Sequence, residues 1–238
     1  MQPVLKISNL TKEYQLDGTA FRALNEIKLT IPAGSFTTVV GKSGSGKTTL
    51  LRIIAGLEKA TTGEINYLSG SSVQRPAFVF QEARLLPWLT VEQNIAFPLQ
   101  GKLEQVELSQ RVKRQLQLLG LTEFAAAYPA QISGGMAQRA ALGRALIYET
   151  DLILMDEPLG ALDAFNRRKL QEELQTIFAA NQKTVIFVTH DVEEAIFLGE
   201  KVIVLDEGQI LAEFKVPITA ENSQLFTLKE NIITSINS

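Results

Sequence analysis

The chain has 238 residues, 45% hydrophobic and 21% charged, which suits one large α/β domain or two modest ones and excludes a disordered chain. Lys plus Arg number 23 against 26 Asp plus Glu, a formal charge of -3, and the missing basic excess argues against nucleic acid as a partner. With no cysteine and one histidine, His190, the chain excludes disulfide scaffolds, Cys-ligated zinc, iron–sulfur clusters, cysteine nucleophiles and multi-histidine metal sites.

The opening stretch MQPVLKISNLTKEY lacks the charged-then-apolar pattern of a signal peptide. The early chain reads as short strands. Ile27 to Ile31 alternates apolar and polar, Pro32-Ala33-Gly34 is a turn signal, and Phe36 to Val40 is rich in β-branched residues and runs into a glycine cluster. Leu50, Leu51, Ile54 and Leu57 then recur at helical spacing; Gly56 is a stop signal, although Leu57 continues the pattern. From Glu104 to Gly120 the period is helical again, with Leu108, Val112, Leu116 and Leu119 on one face. Thr122 to Ala145 reads as mixed helix and loop, broken at Pro129 and Gly134-Gly135.

Leu152 to Met155 is a continuous apolar run, as in a parallel strand buried on both faces. Leu170, Leu174, Ile177 and Phe178 line one face of a helix, and Val185 to Thr189 is a second buried strand. Val202 to Leu205 and Ile210 to Phe214 form a hairpin, and the tail after Pro217 is weakly patterned and reads as peripheral. No apolar stretch approaches the roughly 18 residues that span a bilayer, so the chain is expected to be soluble, yet able to dock on a membrane protein. Strands alternating with helices imply an α/β fold, a parallel sheet flanked by helices. The β-rich start and the helical stretch from Thr90 to Ala145 suggest two lobes in one folded unit.

Three motifs carry chemistry. Gly41-Lys42-Ser43-Gly44-Ser45-Gly46-Lys47-Thr48 fits G-x-x-x-x-G-K-[ST] between a strand and a helix. Glycines let backbone N–H groups wrap phosphate oxygens, and the helix N-terminus adds about half a positive charge. Lys47 would reach the β- and γ-phosphates, and the Thr48 hydroxyl would ligate Mg²⁺. Leu152 to Met155 then delivers Asp156 and Glu157 at a strand's C-terminal end, where open α/β sheets bind ligands. Asp156 would hold Mg²⁺, and Glu157 would orient and deprotonate the attacking water. Thirdly, Ser133-Gly134-Gly135 opens a helix and offers a hydroxyl and bare amides to an anion. On these residues alone an ordinary helix N-cap is the better explanation of Ser133.

With these motifs in order from about Val4 to Phe214, the chain resembles the ATP-binding-cassette ATPases, the nucleotide-binding subunits of ABC transporters. Ile132-Ser133-Gly134-Gly135-Met136 stands where that family usually reads L-S-G-G-Q, with Ile132 for Leu and Met136 for Gln. The resemblance implies an ABC cassette of the P-loop NTPase class. It would have a RecA-like parallel-sheet core, an N-terminal antiparallel β subdomain and a helical signature subdomain inserted at about 90–145. One domain would span 1–238, with 217–238 as a peripheral tail.

The resemblance also implies site residues. Tyr14 would stack on adenine, and Thr49 would join the loop Gly41–Thr48 in binding ATP. Gln81, in Phe80-Gln81-Glu82, would touch Mg²⁺ and the attacking water, and would start a loop toward the membrane partner. Asp163, in Gly160-Ala161-Leu162-Asp163, would face the opposite subunit; read structurally, it is a helix N-cap. His190 would contact the γ-phosphate.

In this family the signature of one subunit caps the ATP held by the other, so a homodimer is implied. So are transmembrane permease subunits and, indirectly, a substrate-binding protein, with the chain peripheral on the cytoplasmic face. Arg84-Leu85-Leu86-Pro87-Trp88-Leu89 would help receive the permease; the plain structural alternative is lobe-to-lobe core packing. Leu85-Leu86-Pro87-Trp88 and the run Asp156–Ala164 look most like importers of the nitrate/sulfonate/taurine group. With so little sequence after the last hairpin, the regulatory domain that sugar importers of this family append is not expected here. The alternatives are an exporter subunit of the same fold and a soluble non-transport ABC ATPase. A P-loop GTPase is disfavoured, because no Asn-Lys-x-Asp motif is present.

Overall fold

The computed structural model describes residues 2–16, 18–68, 75–160, 162–181, 183–217 and 222–237. Its elements in chain order begin with β1 (Pro3–Leu16), β2 (Thr19–Pro32), β3 (Phe36–Val40), α1 (Lys47–Ile54), β4 (Thr62–Tyr67) and β5 (Ala77–Val79). Next come α2 (Val91–Ala96), α3 (Gln105–Leu118), α4 (Gly134–Ile147), β6 (Leu152–Asp156), α5 (Ala164–Asn181) and β7 (Thr184–Val188). The chain closes with α6 (Val192–Leu198), β8 (Lys201–Asp206), β9 (Gln209–Lys215) and α7 (Asn222–Asn237).

Two sheets result. One is antiparallel, in the order β2-β1-β4. The other runs β5-β6-β7-β3-β8-β9, parallel throughout except for β9. The early strands are far longer than the sequence pattern suggests: β1 and β2 have 14 residues each. Register shifts between Ile7 and Leu10 and between Leu10 and Lys12 break the two-residue alternation that would have revealed β1.

β6 and β7 are buried on both faces, and their residues sort by parity, as a pleated strand requires. Ile153, Met155, Val185 and Phe187 join the core under α2, α3 and α4. Leu152, Leu154, Ile186 and Val188 join the core shared with α1 and the antiparallel sheet. The expected helical faces are buried too: Leu108, Val112, Leu116 and Leu119, and likewise Leu170, Leu174, Ile177 and Phe178.

Leu57 departs from expectation. α1 ends at Ile54, Gly56 takes a left-handed φ of 69°, and Leu57 is left 58% exposed beyond the helix. The stretch after Pro217 differs more. The sequence reading gives it no element, yet 222–237 is a helix whose Ile232 is fully buried against Val40, Val202 and Val204. Burying one such side chain contributes about 1.5–3 kcal/mol, so α7 is bound to the sheet rather than trailing from it.

The topology places five strand ends on one edge. β3, β5, β6, β7 and β8 are mutually parallel, so the residues just beyond each of them emerge together. That edge receives Gly41 to Gly46, Phe80-Gln81, Asp156-Glu157, Thr189-His190 and Asp206. Among the described residues, no helix is long and apolar enough to cross a membrane.

Candidate functional site

The loop between β3 and α1 is shaped from within. A methyl at Gly41 would lie 1.9 Å from the Leu205 carbonyl oxygen, so only glycine fits there. Gly46 has φ 101° and is also pressed against Ala23, and it begins α1 without any side-chain cap. The first amides of α1 therefore lack the side-chain acceptor that most helix starts provide. Gly44, by contrast, faces open space and, with Lys42 and Ser43, forms the exposed lip.

Lys47 is buried, and its Nζ donates to the carbonyls of Gly41 (2.9 Å) and Lys42 (2.7 Å) and to Ser45 Oγ (3.3 Å). Burial pulls its pKa below the ordinary lysine value, opposed by the charges of Glu157, Asp156 and Asp206. Lys42 Nζ approaches Asp206 at 3.8 Å from the far side of the loop.

Thr48 Oγ1 donates to Asp156 Oδ1 at 3.0 Å, joining α1 to the end of β6. Asp156 is 8% exposed; burial raises its pKa, and the Thr48 hydroxyl and the charges of Arg52 and Lys47 partly offset this. A hydroxyl and a carboxylate oxygen side by side are a donor set for a hard cation. Mg²⁺ suits it, because that ion takes one or two protein oxygens and completes its shell with phosphate and water.

Glu157 holds a left-handed φ of 44°, fixed by its N–H donating to the Val188 carbonyl at 3.0 Å. Its Oε2 meets His190 Nδ1 at 2.9 Å. The Glu157 side chain is 24% exposed and that of His190 64%, so the pair points outward from the buried edge. Gln81 borders the same glycine as Glu157: a methyl built at Gly160 would lie 3.7 Å from Gln81 Nε2 and 3.8 Å from Glu157 Oε2.

Tyr14 lies on β1, with Lys12 Nζ 4.8 Å from its ring centre. Burial and a hydrogen bond to Glu58 raise its pKa, while a hydrogen bond to Thr49 lowers it, which places the phenol beside the first turn of α1.

The other expected residues sit elsewhere. Ser133 is exposed and caps α4, its Oγ accepting from the Met136 N–H at 3.3 Å, and a methyl at Gly134 would meet nothing. Gly135 lies beside Leu162, and Asp163 accepts from Asn166 N at 3.0 Å, a cap for α5. Those bonds hold the Asp163 carboxyl below its usual pKa. Among the described residues, no hydrogen bond or ion pair links Ser133 or Asp163 to the Gly41–Thr48 loop. The capping readings of Ser133 and Asp163 thus hold within one chain and leave their outward faces free. Ala161 lies outside the described residues.

Sequence reasoning missed the residues that support these loops. Asn94, fully buried, donates to the Leu86, Leu89 and Thr90 carbonyls and accepts from Leu86 N–H at 2.7 Å. Arg144 and Gln138 of α4 donate to carbonyls on either side of Gln81. Glu194, 5% exposed, accepts from Gln171 Nε2 at 3.1 Å and bonds the Thr189 hydroxyl beneath His190. A polar residue within a helical period gives no sign of such a partner. Trp88 is 69% exposed, so the loop Arg84–Leu89 does not bury its largest side chain between lobes, although Leu85 packs on the core.

Comparison with known proteins points the same way. A family model described as ABC transporter matches residues 24–160. The aliphatic sulfonates import ATP-binding protein SsuB of Bacillus subtilis (strain 168) is 44% identical over 203 residues, covering 84% of this chain and 78% of that protein. SsuB 2 of Agrobacterium fabrum is 43% identical over 228 residues, covering 92% and 85%. Among solved structures, the dimeric post-hydrolysis state of the ATP-binding cassette MJ0796 bound to ADP and Pi superposes with a TM-score of 0.79. It is 34% identical and covers 90% of this chain and 100% of that one. CbiO1 from Clostridium perfringens, part of the complex cbiONQ, gives a TM-score of 0.82 at 26% identity, covering 98% and 94%.

Proposed function

The chain belongs to the ABC transporter family, whose cassettes bind and hydrolyse ATP, and from that premise we propose that it powers an importer for small sulfonate-like solutes. The relatives named for import favour uptake over export, and the aliphatic sulfonates they are named for supply the solute class. The observation that carries the hydrolytic half is the 2.9 Å pairing of Glu157 Oε2 with His190 Nδ1 at the mouth of the loop that holds Lys47.

In this reading Lys47 exchanges loop carbonyls for phosphate oxygens when ATP arrives. Thr48 and Asp156, with Gln81, would hold Mg²⁺, which would supply positive charge against the phosphates. Glu157 accepts the proton of the attacking water, and His190 orients the Glu157 carboxylate. With Nδ1 paired to Glu157, the second ring nitrogen of His190 is left for the phosphate. Tyr14 supplies a stacking face for the base, and the lip from Lys42 to Ser45, with Thr49, completes the ATP cradle.

Ser133 and Asp163 make no hydrogen bond to the Gly41–Thr48 loop among the described residues, and in this reading they act, with Gly134 and Gly135, on the ATP of a second copy. The dimeric cassette among the structural neighbours supports that assembly. In this reading the exposed loop around Trp88 receives permease subunits, the chain sits peripherally at the cytoplasmic face, and a substrate-binding protein acts through the permease. One folded domain, with 90–145 as its helical part, remains our reading of the layout.

The test is uptake. A strain lacking this chain should fail to take up an aliphatic sulfonate, and the wild-type gene should restore uptake while Lys47→Ala should not. Unimpaired sulfonate uptake in the deletion strain would sink the substrate class. Purified protein without Mg-ATP hydrolysis would sink the enzymatic part.

A further inference from the structure

The segment beyond β5 hangs from helices rather than from the sheet. Gln138 Nε2 on α4 donates to the Phe80 carbonyl at 3.0 Å. Less than two turns further along the same helix, Arg144 donates from Nη1 to the Arg84 carbonyl at 3.0 Å and from Nη2 to the Ala83 carbonyl at 3.2 Å. Gln81 lies between these attachments. The Arg84 guanidinium sits 4.2 Å from the Phe80 ring centre and closes the intervening residues into a compact loop. Arg84 also has a left-handed φ of 45°, which persists only where surrounding contacts over-determine it.

Arg144 forms no ion pair among the described residues. Burial lowers its pKa, and its planar fork is spent on two loop carbonyls. A half-buried cation held only by backbone oxygens of one loop is an expensive arrangement unless the loop's position matters.

We propose that Arg144 and Gln138 are positioning residues, fastening Phe80–Arg84 to α4 so that this helix sets where Gln81 stands against Glu157. The N-terminus of α4 carries Ser133-Gly134-Gly135. A displacement of that end by a second copy's nucleotide therefore reaches Gln81 through one rigid helix and three hydrogen bonds, with no change in the sheet. The inference rests on the proposed role of Gln81 in ATP turnover.

The chain carries its own probe. Trp88 is the only tryptophan and stands four residues beyond Arg84, 69% exposed. Trp88 emission and acrylamide quenching, with and without Mg-ATP, should be compared in wild type, Arg144→Leu, Arg144→Lys and Gln138→Met. Arg144→Leu should raise quenching and abolish the ATP-dependent change in emission. It should also lower kcat by roughly 10- to 100-fold, with KM for ATP within about twofold, as a displaced catalytic group does. Arg144→Lys, which keeps the charge but not the fork, should retain part of the response. A purely structural role would lower the melting temperature and leave both the Trp88 response and the kcat–KM split unchanged.

Gln138→Met, which cannot donate but conserves volume, decides the matter should Arg144→Leu fail to fold. A folded variant of either residue with wild-type kcat and Trp88 response overturns the proposal. So does a wild-type Trp88 indifferent to ATP that the protein demonstrably hydrolyses. Should wild type hydrolyse no ATP, the proposed function fails instead, and nucleotide-free quenching still decides the tether: unchanged quenching in folded Arg144→Leu overturns it.

Discussion

The edge bearing Glu157 and His190 and the loop from Gln81 to Thr90 both leave the C-terminal ends of parallel strands, yet they are held in place differently. Glu157 and His190 come directly after β6 and β7, each flanked by strands on both sides, and the Glu157 N–H itself continues the ladder to Val188. The Gln81 loop leaves β5, a three-residue strand at the sheet's border. Among the described residues no further strand pairs with β5 on that side, and side chains of Asn94, Gln138 and Arg144 supply the donors instead. Backbone ladders bring chemical groups to one fixed geometry. Side-chain tethers hold a loop that can move with the helices bearing them, which is the property a coupling element needs.

Mutations on the two sides should therefore fail differently. Lys47→Ala strikes the sheet-built side hardest. It removes the cation closest to where the phosphates would lie, so hydrolysis should fall to background and nucleotide binding weaken sharply, while the fold persists. Wild-type turnover in an ATPase assay would contradict the phosphate-loop assignment. Glu157→Gln should cost roughly 10²–10⁴-fold in kcat, the usual worth of a positioned base. ATP binding should survive, and a dimer should accumulate on size-exclusion chromatography with Mg-ATP. A mutant that hydrolyses at the wild-type rate would move the base elsewhere.

On the tethered side, Asn94→Ala leaves the Leu89 carbonyl without its donor and the Leu86 N–H without its acceptor, and removes the second donor from the Leu86 and Thr90 carbonyls. A loss of about 1–3 kcal/mol in stability is expected. Hydrogen exchange should localise the opening to 85–90 and spare β6 and β7. Protection lost evenly across the sheet would erase the distinction between the two regions.

The smallest effect concerns the floor beneath His190. Burial is the largest influence on Glu194, which also faces Asp191; both raise its pKa, while Thr189, Gln171 and Arg167 lower it, leaving it above the ordinary value. The stability tied to its neutral form is complete below the unfolded carboxylate pKa, about 4.3, and is lost as pH rises through the folded value. The melting temperature of Glu194→Gln relative to wild type should therefore climb as pH rises above the ordinary carboxylate pKa of about 4.3. Any fixed penalty for the weakened Thr189 contact drops out of that slope. A flat difference across the range would mean that Glu194 is not neutralised by burial.

Much of this molecule is already legible in the sequence. The phosphate loop, the strand ending in Asp156-Glu157, the apolar faces of α3 and α5 and the hairpin of β8 and β9 each come from local rules, because every residue needed lies within a few positions of its neighbours. β1 resisted reading because its bulges break the alternating period. α7 resisted because its burial rests on Ile232 meeting valines of β3 and β8, strands that no nearby residue announces. The pairing of His190 with Glu157, the meeting of Thr48 with Asp156 and the grip of Arg144 on Ala83 and Arg84 join positions 33, 108 and about 60 residues apart. Local spacing cannot encode such distances. They were decided by the strand order, which brings the parallel strand ends of β3, β5, β6, β7 and β8 to one edge. The same order leaves β5 at the border, where side chains of α4 hold the Gln81 loop.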